Sequence, residues 1–268
     1  APIIAGAPGA LLVSHLDTVI ADPAWRFEIQ GDRATGPGIA DPLGGVVVML
    51  RALERLNADG HLDQGRWTVV LNGDEETGSA HSAGLLRRLA ADADAGFVFE
   101  SGRASGELVR QRAGSAHWEL EAYGVAAHAG VAPQDGVNAI VALAHAIAEA
   151  HRLSDHGRGR SVNVGVVRGG LQRNQVPDRA LAEVDVRFVE PGDDVGVEQG
   201  LRAAAAQASQ AVPGARVEAR RLRGRPSWQG GAGTDALLAC WDRAAQLLGS
   251  PSPGSVATGG GSDANILA

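Results

Sequence analysis

The sequence predicts an α/β fold, built on a mostly parallel sheet and interrupted by an inserted α+β domain. Three observations predict it. Over residues 10–100, short apolar runs alternate with segments of helical spacing. From residue 116 onward the strand-like segments instead alternate polar and apolar residues, as strands with one wet face do. Residues 234–248 then return to a helix of the first kind, so the middle of the chain reads as an insertion.

The elements follow in order. Residues 10–14 (ALLVS) form a short apolar run, expected to be a buried parallel strand. Residues 44–56 carry Val47, Leu50 and Leu53 or Leu56 at helical spacing. Residues 67–72 (WTVVLN) are a second buried strand, residues 82–90 a helix and residues 96–100 a strand. In the second stretch, residues 116–123 (AHWELEAY) alternate as a strand, and residues 139–153 form a long Ala-rich helix. Strands at 161–167 and 181–189, a helix at 197–211 and a strand at 215–222 complete it. This β-α-β-β-α-β order is that of a ferredoxin-like unit. Hinges near Ser105 and Arg223 give three expected spans: 1–106 and 223–268 in the first domain, 107–222 in the insertion.

A length of 268 residues suits two domains, and 44% hydrophobic with 21% charged residues is ordinary for a globular chain. The net charge of −7, without a like-charge block, argues against nucleic acid as a partner. No apolar run is long enough to span a bilayer, so no membrane association is expected. No leader is visible, which points to the cytoplasm. The first residues read as the inside of a domain, however, so a periplasmic or secreted location stays open. All 24 basic residues are Arg, which excludes Schiff-base chemistry and a P-loop lysine. Cys240 is the sole cysteine, so internal disulfides and cysteine-rich zinc sites are excluded. Any metal must be held by His, Asp and Glu.

Four segments carry such groups. His15-Leu16-Asp17 closes the first strand, and ligands bind outside the carboxyl ends of strands in a parallel sheet. A carboxylate beside an imidazole fixes its tautomer and improves it as a ligand. Asp41 is delivered by a rigid Gly- and Pro-rich loop, residues 36–42. Asp74-Glu75-Glu76 follows the strand WTVVLN, and three adjacent acids repel one another unless a cation compensates. Glu100 ends the strand at 96–100. Taken singly, each has an ordinary explanation: a surface histidine, a helix cap, a solvated acidic turn. Together they gather His15, Asp41, Glu76 and Glu100 at one sheet edge, a donor set suited to zinc, with cobalt or manganese possible. No G-x-S-x-G elbow supports a serine hydrolase.

The motifs HLDTV, GPGIADPLGG, NGDEETGS, FES, AHAG, RNQVPD, GRP and GGGSDAN occur in that order. In this the chain resembles the M20 metallopeptidases, most closely their glutamate carboxypeptidases. The resemblance implies a zinc-peptidase catalytic domain on a mostly parallel sheet, with an inserted dimerisation domain. It implies two zinc ions: His15 and Glu100 on one, Glu76 on the other, Asp41 bridging. Asp17 would orient His15, and Glu75 would be the general base. His128 would help polarise the substrate carbonyl, usually from the partner subunit of a homodimer. Asn174 and Arg225 match positions associated with the substrate's terminal carboxylate. The implied reaction is hydrolysis of an amide next to a free carboxylate, on a small peptide or N-acyl amino acid. The alternatives are an N-acyl amino acid deacylase, a dipeptidase or a dimeric scaffold with an incomplete metal site. The resemblance also implies a cis Asp41–Pro42 peptide bond. Family members extend beyond both ends of this sequence, so the span 223–268 is expected to be a truncated second part. Their last zinc ligand is a C-terminal histidine, and no histidine follows His156 here. Relatives commonly have lysine where this chain has Leu43, and no physical reason for that is evident.

Overall fold

The computed structural model describes residues 7–20, 22 and 24–268. The first six residues of the expected catalytic span therefore lie outside the described residues. The chain forms two compact units: residues up to Arg112 together with Gln229–Ala268, and Ala113–Trp228.

In the first unit the strand Gly9–His15 lies between Arg66–Asn72 and Ala95–Val98, parallel to both. Leu11 and Val13 are fully buried at its centre, and Val70, Leu86 and Ile266 pack with them. The helices Gly44–Ala58 and Ala83–Ala91 provide the crossovers that parallel strands require. The first of these begins directly after the Asp41 loop, and it packs closely on the chain leading to Glu100. A side chain at Gly45 would meet the Phe99 carbonyl oxygen at 2.8 Å, so only glycine fits there. A short antiparallel hairpin, Glu28–Gln30 with Arg33–Thr35, is exposed.

The same unit contains a parallel pair that the sequence did not announce, Leu108–Arg112 with Ser255–Thr258. This pairing moves the boundary from the expected 106/107 to 112/113, because Leu108–Arg112 is bound into the first unit. The return boundary falls after Trp228 rather than at 222/223, because the strand Arg216–Arg225 runs on past a bulge between Arg221 and Arg223. No helix among the described residues is long and apolar enough to cross a membrane.

The second unit has the β-α-β-β-α-β order. Its antiparallel sheet runs Arg216–Arg225, Gly114–Tyr123, Arg179–Phe188, Ser161–Gly169. Strict alternation puts Ala116, Trp118, Leu120 and Ala122 on the buried face, with Ala180, Ala182, Val184 and Val186 beside them. Two helices cover that face. Ala139–His151 is capped by the Asn138 side chain, which accepts the Val141 N–H at 3.1 Å. It buries Ala139, Ala142, Leu143, Ala146 and Ala150, a helical stripe of mostly small residues. Asp193–Ala211 buries Val197, Leu201, Ala204, Ala205 and Ala208. Emptying a position such as Leu120 or Leu143 would cost about 2–5 kcal/mol. The sheet's other face is charged, with pairs such as Arg220–Glu119 at 2.7 Å; these exposed pairs add little stability.

Candidate metal centre

The site is built where the three parallel strands of the first unit end. His15 is aligned with Asn72, and Val13 with Val98. Just beyond the ends the backbones stay tied. Leu16 N–H donates to the Asn72 carbonyl at 2.8 Å, Phe99 N–H to the Val13 carbonyl at 2.8 Å, and Ser14 Oγ to the Phe99 carbonyl at 2.8 Å. His15, Glu75-Glu76 and Glu100 are thereby carried to one edge. The Asp41–Pro42 peptide bond is cis, as the resemblance implied. Asp41 and Pro42 leave helical geometry (Asp41 φ −137°, ψ 99°), so the chain turns at the aspartate before the helix begins.

His15 is 1% exposed. Its Nδ1 lies 3.0 Å from the Asp17 carbonyl oxygen and 3.3 Å from Asp17 Oδ1. An Nδ1–H held by acceptors leaves Nε2 as the lone-pair nitrogen, which is the ligating form. That Nε2 is buried with no hydrogen-bond partner, and so is Oε1 of Glu100. Around Nε2 stand Asp41 Oδ1 at 3.5 Å and Glu100 Oε2 at 3.6 Å. Donor atoms of His15, Asp41 and Glu76 all lie within 4.8 Å of one another. Two donors ~2.1 Å from one tetrahedral ion are about 3.4 Å apart. The spacings around His15 Nε2 therefore fit a metal held between the groups, and the orphaned buried atoms give it donors.

The charge balance agrees. Burial, then the Glu75 carboxylate, pushes the Glu100 carboxyl up to about 7. Burial works against a charged His15, but the Glu100 and Glu75 carboxylates outweigh it and raise its pKa above the ordinary value. Crowded carboxylates around a buried imidazole are what a bound cation relieves. Glu75 is itself buried. Asp41, at 53% side-chain exposure, is the ligand candidate open to solvent.

The acidic triplet divides its labour. Asp74 Oδ2 accepts the N–H groups of His81 and Ser82 at 2.8 and 3.1 Å, at the head of the helix Ala83–Ala91. Burial opposes its charge, but these bonds hold its carboxyl below the usual range. Glu75 and Glu76 are presented by the Asp17 carboxylate, which accepts both of their N–H groups. One buried acid was not singled out by its motif: Asp263 of GGGSDAN, which bonds Ser79 and Asn72. An acid inside a Gly-rich loop was the only signal available.

Three expected residues belong to the second unit. Ala127–His128 pairs with Gln175–Val176, and Ala129 N–H donates to the Asn174 carbonyl at 2.9 Å. Gly130 N–H donates to His128 Nδ1 at 3.1 Å, which leaves the ring proton on Nε2. His128 and Asn174 line a surface pocket of about 370 Å³ with Gln172 and Gln175. Arg225 is 8% exposed at the end of its strand, aligned with Ser115.

Known proteins resemble this chain in sequence and fold. A family model described as the peptidase dimerisation domain of M20 matches residues 110–213. A model for peptidase family M28 matches residues 6–156. Carboxypeptidase G2 of a Pseudomonas species (strain RS-16) is 34% identical over 98% of this chain and 64% of its own length. The chain belongs to the M20 family of metallopeptidases. The M20 dimerisation domain and the end-to-end likeness decide this, while the M28 match covers the residues that carry the metal centre. The M20 family metallo-carboxypeptidase Sso-CP2 of Sulfolobus solfataricus has the same fold, with a TM-score of 0.77 at 19% identity, covering 99% of this chain and 75% of that one. One of the subunits of p-aminobenzoyl-glutamate hydrolase from Escherichia coli (strain K12) is 49% identical over 65 residues, 24% of this chain and 15% of that protein. This M20 chain thus spans about two thirds of the length of carboxypeptidase G2.

Proposed function

We propose that this M20 chain hydrolyses an amide bond next to a free carboxylate, as a glutamate carboxypeptidase-type exopeptidase acting as a homodimer. His15, Asp41, Glu76 and Glu100 would hold the zinc. Bound zinc supplies carbonyl polarisation and a water of lowered pKa. Asp17 keeps His15 in its ligating tautomer. Glu75 takes the proton of the attacking water and delivers it to the leaving amine. His128 donates from Nε2–H to the carbonyl oxygen as charge develops there. The Arg225 fork and the Asn174 amide bind the terminal carboxylate.

The observation that carries this reading is the convergence on His15 Nε2, buried and without a hydrogen-bond partner, of Asp41 at 3.5 Å and Glu100 at 3.6 Å. The choice of an acidic leaving residue is supported by the name of one relative, a p-aminobenzoyl-glutamate hydrolase subunit, and cleavage beside a free carboxylate by that of carboxypeptidase G2. The test is zinc content together with turnover on a panel of acyl-glutamates, acetyl-amino acids and dipeptides. Acyl-glutamates are expected to be the best substrates. Preference for acetyl-amino acids or dipeptides would shift the reading to a deacylase or dipeptidase, and failure to bind zinc would end it.

A further inference from the structure

Asp263 directly precedes the short helix Ala264–Leu267. An acid in that position ordinarily caps its own helix. Here the side chain makes no such bond. The local groups are served by others: Ala264 N–H donates to Ser262 Oγ at 3.1 Å, and Ser262 N–H to Asn265 Oδ1 at 2.9 Å. The Asp263 carboxylate, on a residue 1% exposed, is turned to the Glu75-Glu76 segment instead. Ser79 Oγ donates to Oδ1 at 2.5 Å, and Asn72 Nδ2 donates to Oδ2 at 2.8 Å.

Both donors sit at strategic points. Ser79 is fully buried and has φ +56°, the only left-handed non-glycine among the described residues. A residue with a side chain rests there only when its surroundings enforce it. Ser79 N–H closes the turn onto the Asp74 carbonyl at 2.7 Å, and Gly78 N–H onto Glu75 at 2.8 Å. Asn72 is aligned with His15, and its carbonyl receives the Leu16 N–H. The far end of the turn is held by Asp17. The turn carrying Glu75 and Glu76 is therefore clamped between two carboxylates, Asp17 on its first N–H groups and Asp263 on its last residue.

We infer that Asp263 is a positioning residue, which acts through Ser79 and Asn72 to fix the pose of the Glu75-Glu76 turn. An ionised acceptor suits this task, because hydrogen bonds to a carboxylate are stronger than those to a neutral amide. The consequence for metal binding rests on the proposed function; the consequence for the turn does not.

The test compares wild type, Asp263→Asn and the milder Ser79→Ala by hydrogen exchange of the metal-free protein, then by zinc affinity against a chromophoric chelator. Asp263→Asn keeps the size but offers Ser79 and Asn72 only one acceptor oxygen. Amide exchange in the peptide 73–82 is expected to quicken about tenfold or more in Asp263→Asn, and less in Ser79→Ala, with the helix Ala139–His151 unchanged. Zinc affinity is expected to fall about tenfold, the usual scale for a lost supporting contact. Unchanged exchange in the turn would overturn the inference; a loosened turn whose zinc affinity matches wild type would sustain it and remove only the turn's link to metal binding. A loosened turn in a protein whose wild type takes no zinc would sustain the inference and defeat the metal reading instead.

Discussion

Asp17 accepts the backbone N–H of Glu76 at 2.9 Å, and its other oxygen takes the N–H of Glu75 at 3.3 Å while standing 3.3 Å from His15 Nδ1. One carboxylate thus sets both a histidine tautomer and the backbone that presents two glutamates. Asp17→Asn cannot serve three donors, because its amide nitrogen would face one of them. Zinc affinity is expected to fall about 10–100-fold. A chelator competition assay that finds affinity within about twofold of wild type would remove Asp17 from this role.

Glu75 is buried beside the ligand candidates, yet among the described residues the cluster of close donor atoms comprises His15, Asp41 and Glu76. It is expected to handle the proton without holding metal. Glu75→Ala should abolish turnover while zinc content, read by elemental analysis, stays as in wild type. Activity surviving within about tenfold, a barrier change of only ~1.4 kcal/mol, would mean that Glu75 is not the base.

Much of this site was legible because parallel sheets announce themselves. ALLVS, WTVVLN and the run ending at Glu100 are mostly apolar, and each reaches a histidine or acid within two residues of its end. The ferredoxin-like order was legible from strict alternation in the strands Gly114–Tyr123 and Arg179–Phe188. The pair Leu108–Arg112 and Ser255–Thr258 was not. One strand is LVRQR, rich in charge, and the other is four residues set in a Gly-, Ser- and Pro-rich stretch. Their stability comes from partners distant in sequence, which no local pattern encodes. Asp74 was read only as part of an acidic triplet, since adjacent acids look alike until the backbone N–H groups of His81 and Ser82 are seen to claim one of them.

Metal removal gives a stability prediction. Without a cation, His15 Nε2 and Glu100 Oε1 are buried without hydrogen-bond partners, and Glu75 and Glu100 repel each other. Chelation is expected to end turnover and lower the melting temperature. Zinc at about 100 times its Kd should restore roughly 2.7 kcal/mol of stability. A melting temperature that does not respond to zinc or chelator would show that no ion binds the folded chain.

The last prediction concerns His128. Its Nδ1 is committed to the Gly130 N–H, so its Nε2–H is the free donor, exposed on the second unit. The resemblance to M20 peptidases implies that this donor serves the partner subunit's site. A homodimer of Glu75→Ala subunits lacks the base in both sites, and one of His128→Ala subunits lacks the donor in both. In a mixed dimer with exchange in trans, one site pairs an intact Glu75 with an intact His128, and the other pairs the two defects. Half of a random mixture is heterodimer, with one good site in each, so about a quarter of the wild-type activity should return; the fraction follows from mass action. Subunit exchange is verified first, by mass spectrometry of differently labelled chains. If exchange is complete and activity stays at the level of the separate variants, His128 acts within its own subunit or not at all. If Asn174→Ala subunits also complement Glu75→Ala subunits, the pocket that His128 and Asn174 line acts as one piece of the partner's site, as their neighbouring strands suggest.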